Sequence, residues 1–144
     1  MKRPLASIII PNYNGKHFLD ECLKSLKGQT FDDFEIILID DASDDNSVEF
    51  VKSYFPEVKI IINGKNLGFS RACNVGIKSA RGEYVVLLNN DTVVDKKWLE
   101  ALILMVESDV SIGMCASKIL SSKNVLLIDS VGINICFDGM SRGR

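Results

Sequence analysis

Residues 5–15 read LASIIIPNYNG, and this stretch decides the fold. The isoleucine-rich run Leu5–Ile10 is closed by Pro11, which predicts a short strand buried on both faces of a sheet. A helix is predicted over Lys16–Lys27, because apolar residues recur there at helical spacing and Gly28 follows them. The chain therefore opens as a strand followed by a helix.

The same alternation continues along the chain. Further strands are predicted at Phe34–Ile39, Val58–Ile62 and Tyr84–Leu88, each followed by a helical pattern. Shorter strands are predicted near the end of the chain, at Ile112–Ala116, Val125–Ile128 and Ile133–Phe137. Strands and helices that alternate at this spacing predict an α/β fold with a mostly parallel sheet and helices on both faces.

The composition is that of one soluble globular domain. The chain has 144 residues, of which 47% are hydrophobic and 25% charged, and its net charge is -2. This balance gives no electrostatic reason to expect nucleic-acid binding. No stretch approaches the roughly 18–20 apolar residues of a membrane span. We expect a chain that begins near Met1 and resides in the cytoplasm, with peripheral attachment to the inner membrane face left open.

The cysteines and the histidine predict no metal cluster. The four cysteines are widely separated, and His17 is the only histidine in the chain. Buried reduced thiols are expected for the cysteines, and a solvated surface position for His17. The cysteines stand at Cys22, Cys73, Cys115 and Cys136.

Polar residues follow three of the predicted strands. They form the clusters Pro11–Gly15, Asp40–Ser43 and Asn89–Thr92. Because the strands of a parallel sheet run in the same direction, their carboxyl ends lie at one edge of the sheet, which we call the rim. Ligands of such sheets bind outside those ends. The sequence therefore predicts a site at the rim.

The residue types at the rim suit a nucleoside diphosphate. A carboxylate such as Asp41 can accept a hydrogen bond from a ring N–H, and the aromatic ring of Tyr13 can stack on the base. A second carboxylate, Asp91, can bind a divalent cation that neutralises a diphosphate leaving group. The segment Asn66–Phe69 precedes a helix whose amide groups could receive an anion, but it is neither a dinucleotide-binding nor a Walker motif.

Each rim residue also has an ordinary structural explanation. Asp40 and Asp41 could start a turn, and Tyr13 could cover the edge of the sheet. Asp95 is predicted to cap a helix around Trp98. Three aromatic residues are predicted to lie in the core, namely Phe18, Phe50 and Trp98. Convergence on one edge is what favours a functional role for Asp41 and Asp91.

Four segments in order resemble glycosyltransferase family 2. They are SIIIPNYNG (7–15), FEIILIDDASDD (34–45), NLGFSRACNVGI (66–77) and GEYVVLLNNDTVV (82–94), and Trp98-Leu99 follows them. The resemblance covers residues 5 to about 143. It implies the GT-A fold of nucleotide-diphospho-sugar transferases, which is Rossmann-like, and transfer of a sugar from a nucleotide diphosphate to an acceptor hydroxyl with inversion.

The resemblance also implies roles for individual residues. Tyr13 would stack on the base, Asp41 would accept the N–H of its ring, and Pro11 would make backbone contacts with the donor. Asn89-Asn90-Asp91 matches the D-x-D position, with Asp91 as the ligand of Mg²⁺ or Mn²⁺ and Asn90 near the ribose. Asn66, Gly68 and Asn74 match the loop–helix segment, where a mainly architectural role is expected, and Asn66 is counted among the donor-binding residues.

The sequence departs from the family pattern in two places. Asn89 stands where many relatives have a first carboxylate, and this form resembles the rhamnosyltransferase-like branch of polysaccharide biosynthesis, with a UDP- or dTDP-sugar as donor. The general base of the family is expected beyond Arg144, in an acceptor-binding half. Residues 1–144 are therefore interpreted as the donor-binding part, with a glycan or lipid-linked acceptor and no catalytic base of its own.

Two other classes of function compete with this interpretation. A non-catalytic nucleotide-binding or interaction module would keep the fold without turnover, and hydrophobic surface left by a missing half would favour a homodimer. A receiver-like signalling domain also has a doubly wound sheet and an acidic pair. It requires a phosphoacceptor aspartate after the third strand, where Asn63 and Gly64 stand.

Overall fold

A computed structural model describes residues 3–121, 124–130, 133–135 and 141–143 of the chain. The chain divides into two compact units, Met1–Trp98 and Leu99–Arg144. The first unit carries the parallel sheet, and the second carries antiparallel strand pairs.

Four parallel strands form the sheet of the first unit. They are β1 (Ala6–Asn12), β2 (Phe34–Asp40), β3 (Lys59–Ile62) and β4 (Tyr84–Leu87). Their order across the sheet is β3-β2-β1-β4. β1 and β2 pair along their whole length, from Ala6 opposite Phe34 to Asn12 opposite Asp40. The parallel sheet predicted from the sequence is confirmed.

β1 lies inside the sheet, and all 7 of its residues are buried. It extends beyond the predicted end, through Pro11 and Asn12. Alternate residues of a parallel strand bond to opposite neighbours, so Pro11 faces β4, as does Ile9, whose carbonyl accepts the Leu88 N–H at 3.0 Å. Since β4 has already ended at Leu87, the missing N–H of Pro11 costs no ladder hydrogen bond.

Three helices connect these strands. They are α1 (Lys16–Lys27), α2 (Ser47–Tyr54) and α3 (Phe69–Ser79). α1 has the predicted bounds and ends at Gly28. α3 packs on β1 and β2, and the right-handed crossovers place α1 and α2 on the opposite face. Helices therefore cover both faces of the sheet, as predicted.

The face of the sheet under α3 is packed tightly. Ile9, Ile37, Ile39 and Ala72 form a fully buried cluster there. A Cβ atom added to Gly76 of α3 would lie 2.2 Å from Ile9 Cγ2 and 3.1 Å from Ile39 Cγ1. The helix therefore approaches the strands at a distance that only glycine allows at this position.

A polar network lies at the amino-terminal edge of the sheet, opposite the rim. The buried Ser7 Oγ donates to Glu35 Oε1 at 2.8 Å and accepts the N–H groups of Arg81 and Gly82 at 3.2 and 2.8 Å. Arg81 Nη2 also pairs with Glu35 Oε2 at 2.8 Å. This network joins β1, β2 and the turn that precedes β4.

Two predictions about side chains need comment. Phe18 is not a core residue: it is 44% exposed, and its ring lies 3.8 Å from that of the exposed His17, centroid to centroid. Helical spacing alone cannot separate the buried face of α1 from its flank, where Phe18 lies. The prediction of buried thiols is confirmed for Cys22 and Cys73. Cys115 is half-buried, and Cys136 lies outside the described residues.

The second unit contains short antiparallel pairs. The helix α4 (Trp98–Glu107) leads into it, β5 (Ile119–Ser121) pairs with β6 (Asn124–Ser130), and β7 (Ile133–Ile135) pairs with β8 (Ser141–Gly143). The predicted strand at Ile112–Ala116 is wrong, because this segment pairs with no strand among the described residues. Residues 136 and 137 of the last predicted strand lie outside them. Within the described part of the chain, no helix combines the length and apolarity that crossing a bilayer requires.

Candidate functional site

A cavity of ≈ 330 Å³ opens at the rim of the sheet, and we call it the rim cavity. The chain leaves β1 toward β2 but returns from β3 to β4 on the other side of β1, so the winding reverses there. Such switch points are where open parallel sheets bind ligands. The cavity is lined by Pro11, Asn12, Tyr13, Asp41, Asn66, Gly68, Phe69, Ala72, Asn89, Asn90 and Asp91.

The rim cavity brings together all the site residues predicted from the sequence. They come from four separate segments: the ends of β1, β2 and β4, and the loop before α3. The predicted residues are Pro11, Tyr13, Asp41, Asn66, Asn90 and Asp91. Their proximity is a property of the fold, and their chemical roles stay predictions.

Asp41 ties the loop before α3 to the end of β2. Its side chain accepts hydrogen bonds from Asn63 Nδ2 at 2.8 Å, from Leu67 N–H at 3.0 and 2.9 Å, and from Gly68 N–H at 2.8 Å. Burial alone would raise the pKa of Asp41, but these three donors outweigh it and lower the pKa. The three donors make four contacts with the two carboxylate oxygens, so the roughly four acceptor positions of Asp41 are largely occupied by its own chain.

The Asp40 side chain points to the other face of the sheet and makes its contacts on the opposite side of the rim. Successive side chains of a strand alternate between the two faces of the sheet. Asp40 therefore shares a face with its register partner Asn12, whose Nδ2 lies 3.2 Å from Asp40 Oδ1. Asn12 Oδ1 accepts a hydrogen bond from Asn90 Nδ2 at 2.8 Å. The acidic pair thus anchors two different parts of the cavity wall.

Strained backbone shapes the loops after β1 and β2. Asn14 and Ala42 have positive φ values of 50° and 65°. The two loops are tied together by Ser43 Oγ, which accepts the Asn14 N–H at 3.0 Å, and by Asn14 Oδ1, which accepts the Asp44 N–H at 2.9 Å. A left-handed alanine costs roughly 1–2 kcal/mol and is tolerated where surrounding bonds determine the conformation.

Two aromatic rings line the rim cavity and are open to solvent. Tyr13 is 53% exposed and Phe69 is 60% exposed. An exposed ring at a cavity mouth offers an apolar face on which a planar group can stack. Phe69 was not singled out from the sequence, because nothing in its neighbourhood distinguishes it from a core residue of the helix.

Asp91 is the carboxylate that is available for a cation. Its side chain is exposed, and it accepts no hydrogen bond from the described residues. The described part of the chain holds no cluster of three or more His, Cys, Asp or Glu that could bind a metal by itself. One carboxylate fits Mg²⁺ or Mn²⁺ when the phosphates of a ligand supply further oxygens.

The Cys22 thiol lies behind this segment. Burial, followed by the charge of Asp91, raises the pKa of Cys22 to about 12. Its Sγ contacts the carbonyl oxygen of Asn89 at 3.9 Å. Cys22 therefore remains a neutral packing group at physiological pH.

A second, wider groove of ≈ 790 Å³ lies along α1 and α2. It is walled by Phe50, Tyr54 and Phe55 and by several charged residues of α1. Two of its lysines already form ion pairs: Lys24 Nζ lies 2.7 Å from Asp20 Oδ2, and Lys27 Nζ lies 3.1 Å from Glu57 Oε1. Because its charges are largely compensated within the chain, we assign no ligand to this groove.

The chain is similar in sequence to a known protein family. Residues 7–129 match the sequence profile of Glycosyl transferase family 2. The uncharacterized glycosyltransferase EpsJ of Bacillus subtilis is 42% identical over 101 residues, which are 69% of this chain and 29% of that protein. Glycosyltransferase GlyG of Streptococcus pneumoniae is 35% identical over 115 residues, covering 76% and 38% of the two chains. The chain thus spans about a third of these relatives.

Solved structures share the architecture. S. aureus TarS 1-349, determined in complex with UDP, superposes with a TM-score of 0.67 at 30% identity, covering 72% of this chain and 32% of that one. The mannosyltransferase PcManGT of Pyrobaculum calidifontis, determined with GDP-Man and Mn2+, has a TM-score of 0.69 at 20% identity, covering 88% and 38%. At that identity, the second comparison speaks for the fold alone.

Proposed function

The chain belongs to glycosyltransferase family 2, and from this premise we propose that it binds the nucleoside diphosphate part of a sugar donor in the rim cavity. The observation that carries the proposal is the convergence of four separate segments on one cavity at the switch point of a parallel sheet. The family reaction passes the sugar to an acceptor hydroxyl, and we propose that it does so with inversion.

The base would bind between the aromatic rings and Asp41. Tyr13 and Phe69 offer exposed rings for stacking, and Asp41 would accept a ring N–H at an oxygen that it also presents to the amides of the loop before α3. Uracil and thymine carry such an N–H, so we propose a UDP- or dTDP-sugar as donor. The TarS structure in complex with UDP supports this choice by similarity.

The diphosphate would lie toward the end of β4. There Asp91 would hold a divalent cation together with the phosphates, Asn90 would lie near the ribose, and Pro11 would contribute backbone contacts. When bound, the cation supplies positive charge that stabilises the departing diphosphate. Asn66 would act mainly through the loop, because its Oδ1 accepts the Gly68 N–H at 2.9 Å and so shapes the turn that Asp41 holds.

The transfer itself needs a general base. The acceptor oxygen attacks the anomeric carbon opposite the leaving diphosphate while the base removes its proton. We assign no such base to the described residues, since Asp95 and Asp109 each accept a backbone N–H of a local turn at 2.8 Å. We propose that this chain supplies donor binding, with a glycan or lipid-linked acceptor bound elsewhere in the whole protein.

The competing interpretations make different predictions. If the chain is a non-catalytic module, it should bind nucleotide, but a protein as long as its relatives that contains it should transfer no sugar. A receiver domain would need a carboxylate after β3, but Asn63 stands there and donates to Asp41. A rhamnosyl donor, suggested by Asn89 at the first D-x-D place, predicts tighter binding of dTDP than of UDP.

The proposal is tested by thermal unfolding with UDP, dTDP, GDP and CMP, each with and without Mn²⁺. A ligand at a hundredfold excess over its dissociation constant stabilises the native state by about 2.7 kcal/mol. We expect stabilisation by one pyrimidine diphosphate, and we expect Asp91→Asn to abolish the contribution of Mn²⁺. Asp44→Asn, an exposed carboxylate of the neighbouring loop, is the matched control. If no nucleotide shifts the transition, the chain is not a donor-binding unit.

A further inference from the structure

Asn12 links three segments of the rim through one buried side chain. It is the last residue of β1 and only 2% exposed. Its Nδ2 donates to Asp40 Oδ1 at 3.2 Å, at the end of β2, and to Ser43 Oγ at 3.3 Å, in the loop that follows β2. Its Oδ1 accepts from Asn90 Nδ2 at 2.8 Å, in the segment that follows β4.

The polarity of these bonds is determined by Asp40. A carboxylate accepts hydrogen bonds, so the NH₂ group of Asn12 must face Asp40 and its oxygen must face Asn90. Asn90 must then turn its own NH₂ toward Asn12. This leaves Asn90 Oδ1, which accepts no hydrogen bond from the described residues, as the group presented to a ligand.

The fit around this chain of bonds is close. A Cβ atom added to Gly15 would lie 2.6 Å from Asn12 Oδ1 and 2.1 Å from Asn90 Nδ2. The loop after β1 therefore presses on the two amides and leaves them little freedom to rotate away. Asn90 precedes Asp91, so whatever holds Asn90 also limits the position of the Asp91 carboxylate.

We propose that Asn12 is a positioning residue, which holds the segment 89–91 at a fixed distance from the Asp41 side of the rim cavity. The inference rests on the proposed function, because it concerns the alignment of the cation-binding carboxylate with the base-binding end of the same cavity. Asn12 itself need not touch the donor. Its effect is exerted through Asn90 and appears in how strongly Mn²⁺ enhances nucleotide binding.

The test compares UDP affinity with and without Mn²⁺ by calorimetry on the 144-residue chain. In Asn12→Ala, we expect metal-free UDP binding to persist while the Mn²⁺ enhancement falls about tenfold or more, as for the loss of other groups that support a metal ligand. Lys78→Ala, a truncation on the exposed surface of α3, should behave like the wild type. An unchanged Mn²⁺ enhancement in Asn12→Ala would overturn the proposal.

An exchange of side chains separates positioning from folding. Asn12→Asp alone brings two carboxylates together and should abolish the enhancement. Asn12→Asp combined with Asp40→Asn restores a donor opposite an acceptor in every bond, so the enhancement should return. Failure of this rescue in a folded double variant would count against the proposal.

The link between Asn12 and Asn90 can also be measured without ligand. If the two amides form one unit, Asn12→Ala combined with Asn90→Ala should lose no more stability in urea than the worse single variant. Additive losses would overturn the link. Complete absence of both UDP and dTDP binding by the wild type would overturn the proposed function and the positioning role together, whereas the outcomes above would overturn the positioning role alone.

Discussion

At the scale of single residues, the acidic pair at the end of β2 places one side chain on each face of the sheet. Asp40 bonds to Asn12 on the side of α1, and Asp41 bonds to the loop before α3. The alternation of side chains along the strand causes this division. Two adjacent residues of the same type therefore have different expected consequences when they are changed.

Asp41→Asn should destabilise the chain by about 1.5–3 kcal/mol, the range for hydrogen bonds to a charged group. The substitution keeps the shape but removes the charge that attracts the Leu67 and Gly68 amides, and it sets an NH₂ group against donors. Urea unfolding at pH 7 measures the loss. Asp44→Asn, on an exposed neighbour, should stay close to the wild type. Equal stability of the two variants would show that the Asp41 bonds contribute nothing.

Part of the site could be predicted from residue identity, and part could not. Asp41, Asp91 and Tyr13 follow predicted strands, and the rule that such ends converge places them together. Asn12 lies in a predicted polar cluster and Asn63 follows the third predicted strand, but neither was assigned a role, because their importance comes from partners up to 78 residues away along the chain. An asparagine at the end of a strand is ordinary until its neighbours in space are known.

At the scale of secondary structure elements, the contact of α3 with the sheet depends on Gly76. In an exposed helix, Gly→Ala stabilises by about 1 kcal/mol. Here the added methyl group would overlap Ile9, so Gly76→Ala should instead destabilise by about 1–3 kcal/mol. The urea midpoint measures the sign directly. Gly28→Ala, where a Cβ would lie 3.6 Å from its nearest neighbour, is the control, and a stabilised Gly76→Ala would refute the close contact.

Gly15→Ala should affect the rim cavity more than the fold. The new methyl group would displace the ends of the Asn90 and Asn12 side chains rather than backbone atoms. The free energy of unfolding should therefore fall by about 1 kcal/mol, which is the contribution of one hydrogen bond. UDP affinity in the presence of Mn²⁺ should fall about tenfold. Calorimetry of this variant beside Gly64→Ala, whose Cβ would meet nothing within 4 Å, tests the expectation. Equal affinities would mean that the amides can move without consequence.

The elements of the first unit were predictable because pattern and packing agree there. The bounds of α1 follow from its apolar spacing and Gly28. β1 begins one residue later than predicted, at Ala6, and it continues through Pro11 and Asn12, which were not predicted because proline usually ends a strand. Ile112–Ala116 was predicted as a strand on apolar content alone. A strand also needs a partner, and a partner cannot be read from a short apolar run.

At the scale of the whole molecule, stability should fall in acid below about pH 4.5. Burial alone would raise the pKa values of Glu35, Asp41 and Asp45, but hydrogen bonds, together with the Arg81 charge beside Glu35, outweigh it and lower them from ordinary values of 4.5, 3.8 and 3.8. As the pH falls, the unfolded chain takes up protons at these groups before the folded chain does. Their contribution is therefore fully present above the unfolded values and is lost as the pH falls through the folded ones.

Urea unfolding between pH 7 and pH 3 checks this expectation. The midpoint should be nearly constant down to about pH 5 and should then decline. The urea midpoint of Asp41→Asn should decline less steeply with falling pH, since one of these three carboxylates has been removed. A wild-type midpoint that stayed level to pH 3 would contradict the assignment of these hydrogen bonds.

The network around Ser7 has a consequence for how such a chain can evolve. It closes the amino-terminal edge, where a Cβ on Gly82 would lie 2.5 Å from Ser7 N, and it lies at the end of the strands opposite the rim. Changes at Ser7 or Gly82 should therefore decide whether the protein survives in the cell at all. Under the proposed function, changes at Tyr13 or Asn89 should alter which donor is bound. A lineage can accordingly exchange its substrate preference at one end of the strands while inheriting an unaltered frame at the other.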